Sequence, residues 1–309
     1  MKKRLLAFSI AAIIVVLAEL IARYGLGLGD PPIAVGDAEI DYIFAPNQDC
    51  NRFGNRIVYN DASMRCDFDV LTGRAGEGIF VVGDSVVNGG VLTDHKDLAT
   101  TILQEQFDQS RKNIQVCNVS AGSWGPGNYA AYLGKHNDLV GTNDIVVVEV
   151  NSHDLWEDDP TEAGGKMVGK DNFLIDHKPW CALWDGFDRY FIPRVRRWLG
   201  KAQVNTKIDV PKWEKDTESE RAKYNLQMLD EIYALPWKKK FLLLWRSKQE
   251  TVEDKETVGE SVFRKYAISR DIPIIHISLS ESDYRDTIHP SIQGQRKMAD
   301  AIRRALNEH

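Results

Sequence analysis

The sequence predicts a three-layer α/β/α sandwich around a five-stranded parallel sheet, carried on an N-terminal transmembrane helix. Three observations predict it: short, continuous β-branched runs recur between residues 79 and 277, stretches of helical length and period separate them, and one long apolar run opens the chain. Runs without polar alternation suit strands covered on both faces. Crossover helices on a parallel sheet provide that cover.

The strands are read at Ile79–Val82, Ile114–Val119, Ile145–Val150, Phe241–Trp245 and Ile272–Ile277. Helices are read at Leu98–Phe107, Tyr129–Leu139, Ser219–Leu235 and Val258–Ser269, and a last one runs from Pro290, a residue favoured at the first helical position, to Leu306. Five such strands with crossovers read as flavodoxin-like, a sheet whose chemistry gathers at the carboxyl ends of its strands.

At the N-terminus, Lys2, Lys3 and Arg4 precede an apolar run from Leu5 to Ala18 that resumes through Leu20, Ile21 and Ala22. Its length lies between a signal-peptide core and the roughly 20 apolar residues a bilayer needs. Glu19 stands four residues before Arg23, where the two can pair on one helical face, and no A-x-A cleavage site follows. Residues 1–23 are therefore read as a retained single-pass anchor of the inner membrane rather than a cleaved signal. The basic end faces the cytoplasm and the body lies on the periplasmic or other extracytoplasmic side.

Residues 24–77 read as a Gly- and Pro-rich neck followed by a small extension on the main domain, with Arg56–Tyr59 strand-like. Cys50 and Cys66 flank part of it, and an extracytoplasmic location permits a disulfide between them; four free thiols is the other reading, preferred for Cys117 in its apolar run. The main domain is read at 78–309. An insertion at about 155–240 is longer than one crossover needs and holds Trp156, Trp180, Trp184, Trp198, Trp213 and Trp237. These are either a cap or sugar-stacking wall over the site, or simply helix packing. Arg189, Arg194, Arg196 and Arg197 beside Phe187, Phe191 and Trp198 suit a membrane surface, an anionic glycan or a solvated helix face.

The 309 residues, 43% hydrophobic, suffice for a full core. A net charge of −6 with scattered Lys and Arg excludes a nucleic-acid groove. No C-x-x-C, H-E-x-x-H, phosphate-loop or dinucleotide pattern occurs, so neither metal nor cofactor is expected. Protein partners are not legible.

Two segments carry chemistry. Phe80-Val81-Val82-Gly83-Asp84-Ser85 is an apolar strand ending in Gly-Asp-Ser and followed by Asn88-Gly89-Gly90. It would expose Ser85 at the crevice, its own N–H aimed at a developing oxyanion. Asp286-Thr287-Ile288-His289-Pro290 lies before the last helix and offers a base with an orienting carboxylate on one short loop. Either alone reads as a turn or a cap. Together, at opposite ends of the α/β pattern, they read as a Ser85, His289, Asp286 triad.

With these blocks the sequence resembles the SGNH/GDSL hydrolase family over roughly residues 78–306. The resemblance implies Ser85 as nucleophile and Asp286 and His289 as its partners. It matches the family's second block to Asn118–Gly127, putting Ser123 where the family has an oxyanion-hole glycine, with Gly122 adjacent. The third block, Gly-x-Asn-Asp in the family, is here Asn151-Ser152-His153-Asp154, so His153 replaces the amide donor and Asn151, on the same face of an extended chain, is the alternative. The resemblance, with the anchor, implies a serine esterase acting on a carbohydrate or acyl-ester substrate, removing O-acetyl groups from an envelope or secreted polysaccharide. A polysaccharide O-acetyltransferase using the same triad and a non-catalytic glycan-binding protein remain the alternatives.

Overall fold

The continuous apolar runs form the sheet. The computed structural model describes residues 2–73, 76–110, 112–165, 168, 174–198 and 216–308. After helix α1 (Lys2–Leu20) come two antiparallel pairs, β1 (Ala34–Asp37) with β2 (Asp41–Phe44) and β3 (Gln48–Arg52) with β4 (Asn55–Tyr59). The main sheet comprises β5 (Glu77–Gly83), β6 (Ile114–Ser120), β7 (Ile145–Asn151), β8 (Lys239–Trp245) and β9 (Ile274–Ile275), all parallel, in the order β6-β5-β7-β8-β9. This is the flavodoxin-like order, and its switch point lies between β5 and β7.

Helices α2 (Ser85–Asn88), α3 (Ala99–Gln109), α4 (Pro126–Lys135), α5 (Pro160–Ala163), α6 (Ala182–Gly186), α7 (Ile192–Trp198), α8 (Glu220–Ala234), α9 (Lys248–Glu253), α10 (Val258–Ser269) and α11 (Ile292–Glu308) complete the order. Successive side chains of a strand point to opposite faces. On β5, Ile79 and Val81 pack with Leu103 of α3 and Met298 and Ile302 of α11, while Phe80 and Val82 pack with Tyr132 of α4, Leu229 of α8 and Phe263 of α10. Each face thus has its own apolar core.

Three boundaries differ from expectation. The edge strand predicted over Ile272–Ile277 pairs only at Ile274 and Ile275; Pro273 has no N–H to give to the ladder. Pro290 does not open the last helix: it makes an isolated bridge to Tyr284, and the helix starts at Ile292. The helix expected from Tyr129 starts at Pro126, with the Asn128 side chain accepting the Gly125 N–H at 2.8 Å.

The extension is part of the core. Ile40, Tyr42, Ala62, Met64 and Val70 are buried with Phe80 and Val82. The β3–β4 turn places Phe53 at φ 54° and Gly54 at φ 80°, the left-handed pair of a two-residue hairpin. No disulfide joins Cys50 to Cys66: all four cysteines are free. The Cys50 thiol points to the Ile57 carbonyl within a small cluster, whereas Cys66 packs in the main core. The two thiols therefore serve different apolar clusters, and burial pushes that of Cys50 up to about 12.

Residues Lys2–Gly25 form a helix of 24 residues that contains an 18-residue stretch with a mean hydropathy of 2.7, long and apolar enough to cross a bilayer. Arg23 Nε donates to Glu19 Oε1 at 3.0 Å, the pair expected from their spacing. In the insertion, Trp156 and Trp237 are buried in the main core, and Trp180, Trp184 and Trp198 are exposed. Trp213 lies outside the described residues, as do the side chains of Arg196 and Arg197.

Candidate active site

Strand β5 delivers Ser85 to the switch point. Asp84 caps α2 by accepting the Val86 N–H at 2.7 Å, so Ser85 becomes its first residue, and Gly89 at φ 72° ends the helix after one turn. A Cβ at position 83 would come within 2.4 Å of Val87 Cγ2 and 2.8 Å of Glu149 Oε2. Only glycine admits that approach.

His289 arrives from the other end of the chain. Its Nε2 lies 2.9 Å from Ser85 Oγ, and its Nδ1 lies 2.9 Å from each carboxylate oxygen of Asp286. The loop is closed on itself: Asp286 Oδ1 accepts the N–H groups of Ile288 and His289, and the Arg285 N–H donates to the His289 carbonyl. It is also pinned to the end of β8, where Trp245 Nε1 donates to the Ile288 carbonyl at 2.7 Å and the Lys248 N–H donates to that of Thr287 at 2.8 Å. Partial burial raises the Asp286 carboxyl, but the His289 and Ile288 amides and the imidazole outweigh it and hold the group below its ordinary value.

Two arginines that no motif singles out brace the loop after Ser85. Arg65, fully buried, donates to the carbonyls of Asn88, Gly90 and Thr93, the last two at 2.7 and 2.8 Å. Arg285 donates to Thr93 Oγ1 at 2.9 Å, and its Nε lies 3.7 Å from Asp286 Oδ2. Neither stands in a recognisable motif; Arg285 merely precedes Asp286.

The oxyanion candidates separate. Ser123 is exposed at φ 57°, the left-handed conformation that favours glycine. Gly122 turns its carbonyl to the Tyr42 hydroxyl at 2.5 Å, and Trp124 Nε1 donates to the Tyr42 carbonyl, so the β1–β2 pair props this loop. Asn151 is buried, and its amide donates to Asp84 Oδ2 at 3.3 Å and Asp154 Oδ1 at 3.0 Å. Both amide hydrogens are spent on carboxylates. His153 is exposed, its backbone N–H held by Asn151 Oδ1 at 3.0 Å.

Beneath the site lies a buried acidic group, Asp84, Glu149 and Asp154, with the half-buried Glu157. Burial pushes Glu149 well above the usual carboxyl range, and the charge of Asp84 adds to it. Both effects favour the neutral acid. Burial, then Asp84 and Asp158, bring Glu157 to about 7. No group of His, Cys, Asp and Glu able to hold a metal ion occurs among the described residues.

No protein-family model and no curated protein matches this chain. Among solved structures it is similar to a member of the lipolytic protein G-D-S-L family from Veillonella parvula, at 10% identity over 76% of this chain and 100% of that one, with a TM-score of 0.44. It is likewise similar to a catalytic mutant of an acetylxylan esterase from Geobacillus stearothermophilus, at 13% identity over 74% and 94% of the two chains and a TM-score of 0.44. A third is an alpha/beta hydrolase enzyme from the metagenome of Lake Arreo, at 14% identity over 76% and 97%, again with a TM-score of 0.44. Those names describe those proteins, and for this chain the function is argued from the geometry of its own site.

Proposed function

We propose that the chain is a serine esterase of the SGNH type that removes O-acetyl groups from an envelope or secreted polysaccharide, anchored by α1 with its body on the extracytoplasmic side. The observation that carries the reading is the continuous line from Ser85 Oγ through the His289 ring to the Asp286 carboxylate, with 2.9 Å at each junction.

The Asp286 carboxylate keeps the imidazole proton on Nδ1, leaving Nε2 as the acceptor. Ser85 Oγ attacks the acetyl carbonyl while its proton passes to His289 Nε2. The carbonyl oxygen becomes an oxyanion that takes hydrogen bonds from the backbone N–H groups of Ser85 and Ser123 and from the His153 side chain. The tetrahedral intermediate collapses, the proton on Nε2 moves to the departing sugar oxygen, and the acetyl group stays on Ser85. Water then loses a proton to Nε2, adds to the acyl carbonyl and releases acetate, restoring the serine. His153 is preferred to Asn151 because the Asn151 amide is committed to Asp84 and Asp154. The His289 side chain is 29% exposed, which leaves water a path to the intermediate.

A fluorophosphonate probe on the full chain in detergent tests this. Labelling that disappears in Ser85→Ala supports the triad; absence of labelling, where a control esterase reacts, would favour the non-catalytic glycan-binding alternative. With a chromogenic acetyl ester and a glycan acceptor, free acetate as the main product is expected. Acetylated glycan as the main product would instead make the protein an O-acetyltransferase.

A further inference from the structure

The stretch from α6 to α7 wears its aromatic side chains outward. Trp180, Trp184 and Trp198 are 92%, 61% and 84% exposed, and Leu183, Phe187 and Phe191 are exposed with them. Trp184, Phe187 and Phe191 follow at helical spacing, and their rings touch in sequence, with centroids 5.8 and 4.9 Å apart. An exposed aromatic stripe of this kind on an otherwise well-packed body marks a contact surface.

Its position identifies the partner. Glu19, at the end of the apolar run of α1, accepts the N–H groups of Ala182 and Leu183 at 2.9 and 2.8 Å. Arg23 donates to the carbonyls of Pro179 and Trp180 at 3.2 and 2.7 Å. The start of the aromatic stretch is therefore hydrogen-bonded to the turn of α1 that leaves the bilayer. At about 1.5 Å per residue, the segment Leu5–Ala22 spans about 27 Å, close to the roughly 30 Å hydrocarbon core, so Glu19 and Arg23 lie in the turn next to the boundary between acyl chains and headgroups. The stretch is also fixed to the body: Arg52 donates to the Tyr190 hydroxyl at 2.7 Å, and Ala182 is buried against Ala22 and Leu28. Arg189 pairs with Asp185 and Lys178 with Asp30, while Asp188 and Arg194 are exposed beside the rings. The outward face is thus an aromatic stripe with interspersed charges, a composition suited to the headgroup level.

We infer that residues 180–198 form an interfacial belt that lies in the bilayer surface beside α1, with Trp180, Trp184, Phe187, Phe191 and Trp198 entering the headgroup and upper acyl region. The belt fixes the height and tilt of the domain over the membrane, so that the switch-point crevice keeps a set distance from it. The inference rests on the reading of α1 as a retained anchor.

The chain offers a clean test, because α1 contains no tryptophan. The full chain is reconstituted into phosphatidylcholine vesicles with brominated acyl chains, and its tryptophan emission is compared with that in unbrominated vesicles. A loss of roughly a quarter or more is expected, from three exposed indoles among the seven tryptophans described. The triple variant Trp180→Phe, Trp184→Phe, Trp198→Phe should lose that quenching while still floating with the vesicles. Flotation without quenching in the native sequence would overturn the belt and leave the anchor standing, as would quenching that persists in the triple variant. Failure to float would overturn the anchor and the belt with it.

Discussion

Ser123 is the residue where the resemblance and the backbone meet. Its φ of 57° costs a side-chain-bearing residue about 1 kcal/mol, and a glycine at the same place would not bear that cost. Ser123→Gly is expected to keep the backbone donor, retain Ser85 labelling and raise stability by up to ~1 kcal/mol in denaturant titration; a loss of labelling would remove the loop from the oxyanion role. Asp286 is the second such residue. Asn in its place preserves the shape but can present an N–H to Nδ1, which favours the wrong tautomer of His289. Asp286→Asn should therefore lower kcat by roughly 10³- to 10⁴-fold with little change in folding, checked by chromogenic ester kinetics beside a thermal melt.

At the scale of elements, the site is a junction of two pieces far apart in sequence, the β5–α2 turn and the loop before α11, and each is braced from outside. Arg65 reaches from the segment after β4 to three carbonyls of the Asn88–Thr93 loop. Methionine would fill much of the volume and leave those carbonyls unsatisfied. Arg65→Met is expected to cost about 3 kcal/mol and to slow fluorophosphonate labelling even well below the melting temperature. Unchanged labelling kinetics would mean that the loop holds its shape without the guanidinium. The same reasoning makes the β1–β2 pair a support for the Gly122–Ser123 loop through Tyr42 rather than an appendage.

For the whole molecule, the buried carboxyl group under the crevice sets a pH dependence. Glu157 titrates near 7 in the folded chain and near 4.3 when unfolded. Between those values the unfolded chain has released a proton that the folded chain retains, so stability falls as pH rises through this window. Glu157→Gln should raise stability by ~2 kcal/mol at pH 8 and leave it nearly unchanged at pH 4, read from chemical denaturation at the two pH values; equal effects at both would exclude the titration. The four free cysteines, three of them buried, add a simple check: reducing agent should not move the melting temperature.

The sequence by itself determined the sheet and the pairing of Ser85 with the Asp286–His289 loop. Continuous β-branched runs can be buried only on both faces, and Gly-Asp-Ser and Asp-x-x-His are local in sequence, so period and motif suffice to read them. Only the tertiary structure decided the rest. The β3–β4 hairpin turns on Phe53 in a left-handed conformation, which no Asn-Gly or Asp-Gly signal announces. The Asn151 amide is withdrawn by Asp84 and Asp154, and Asp84 sits on another strand. Arg65 acts on a loop 23 residues or more away. The exposed tryptophans look alike in sequence to the buried ones; what separates Trp180 and Trp184 from Trp156 and Trp237 is that their segment is tied to the end of α1. Each of these depends on groups brought together by long-range packing, and neither periodicity nor composition records such a contact.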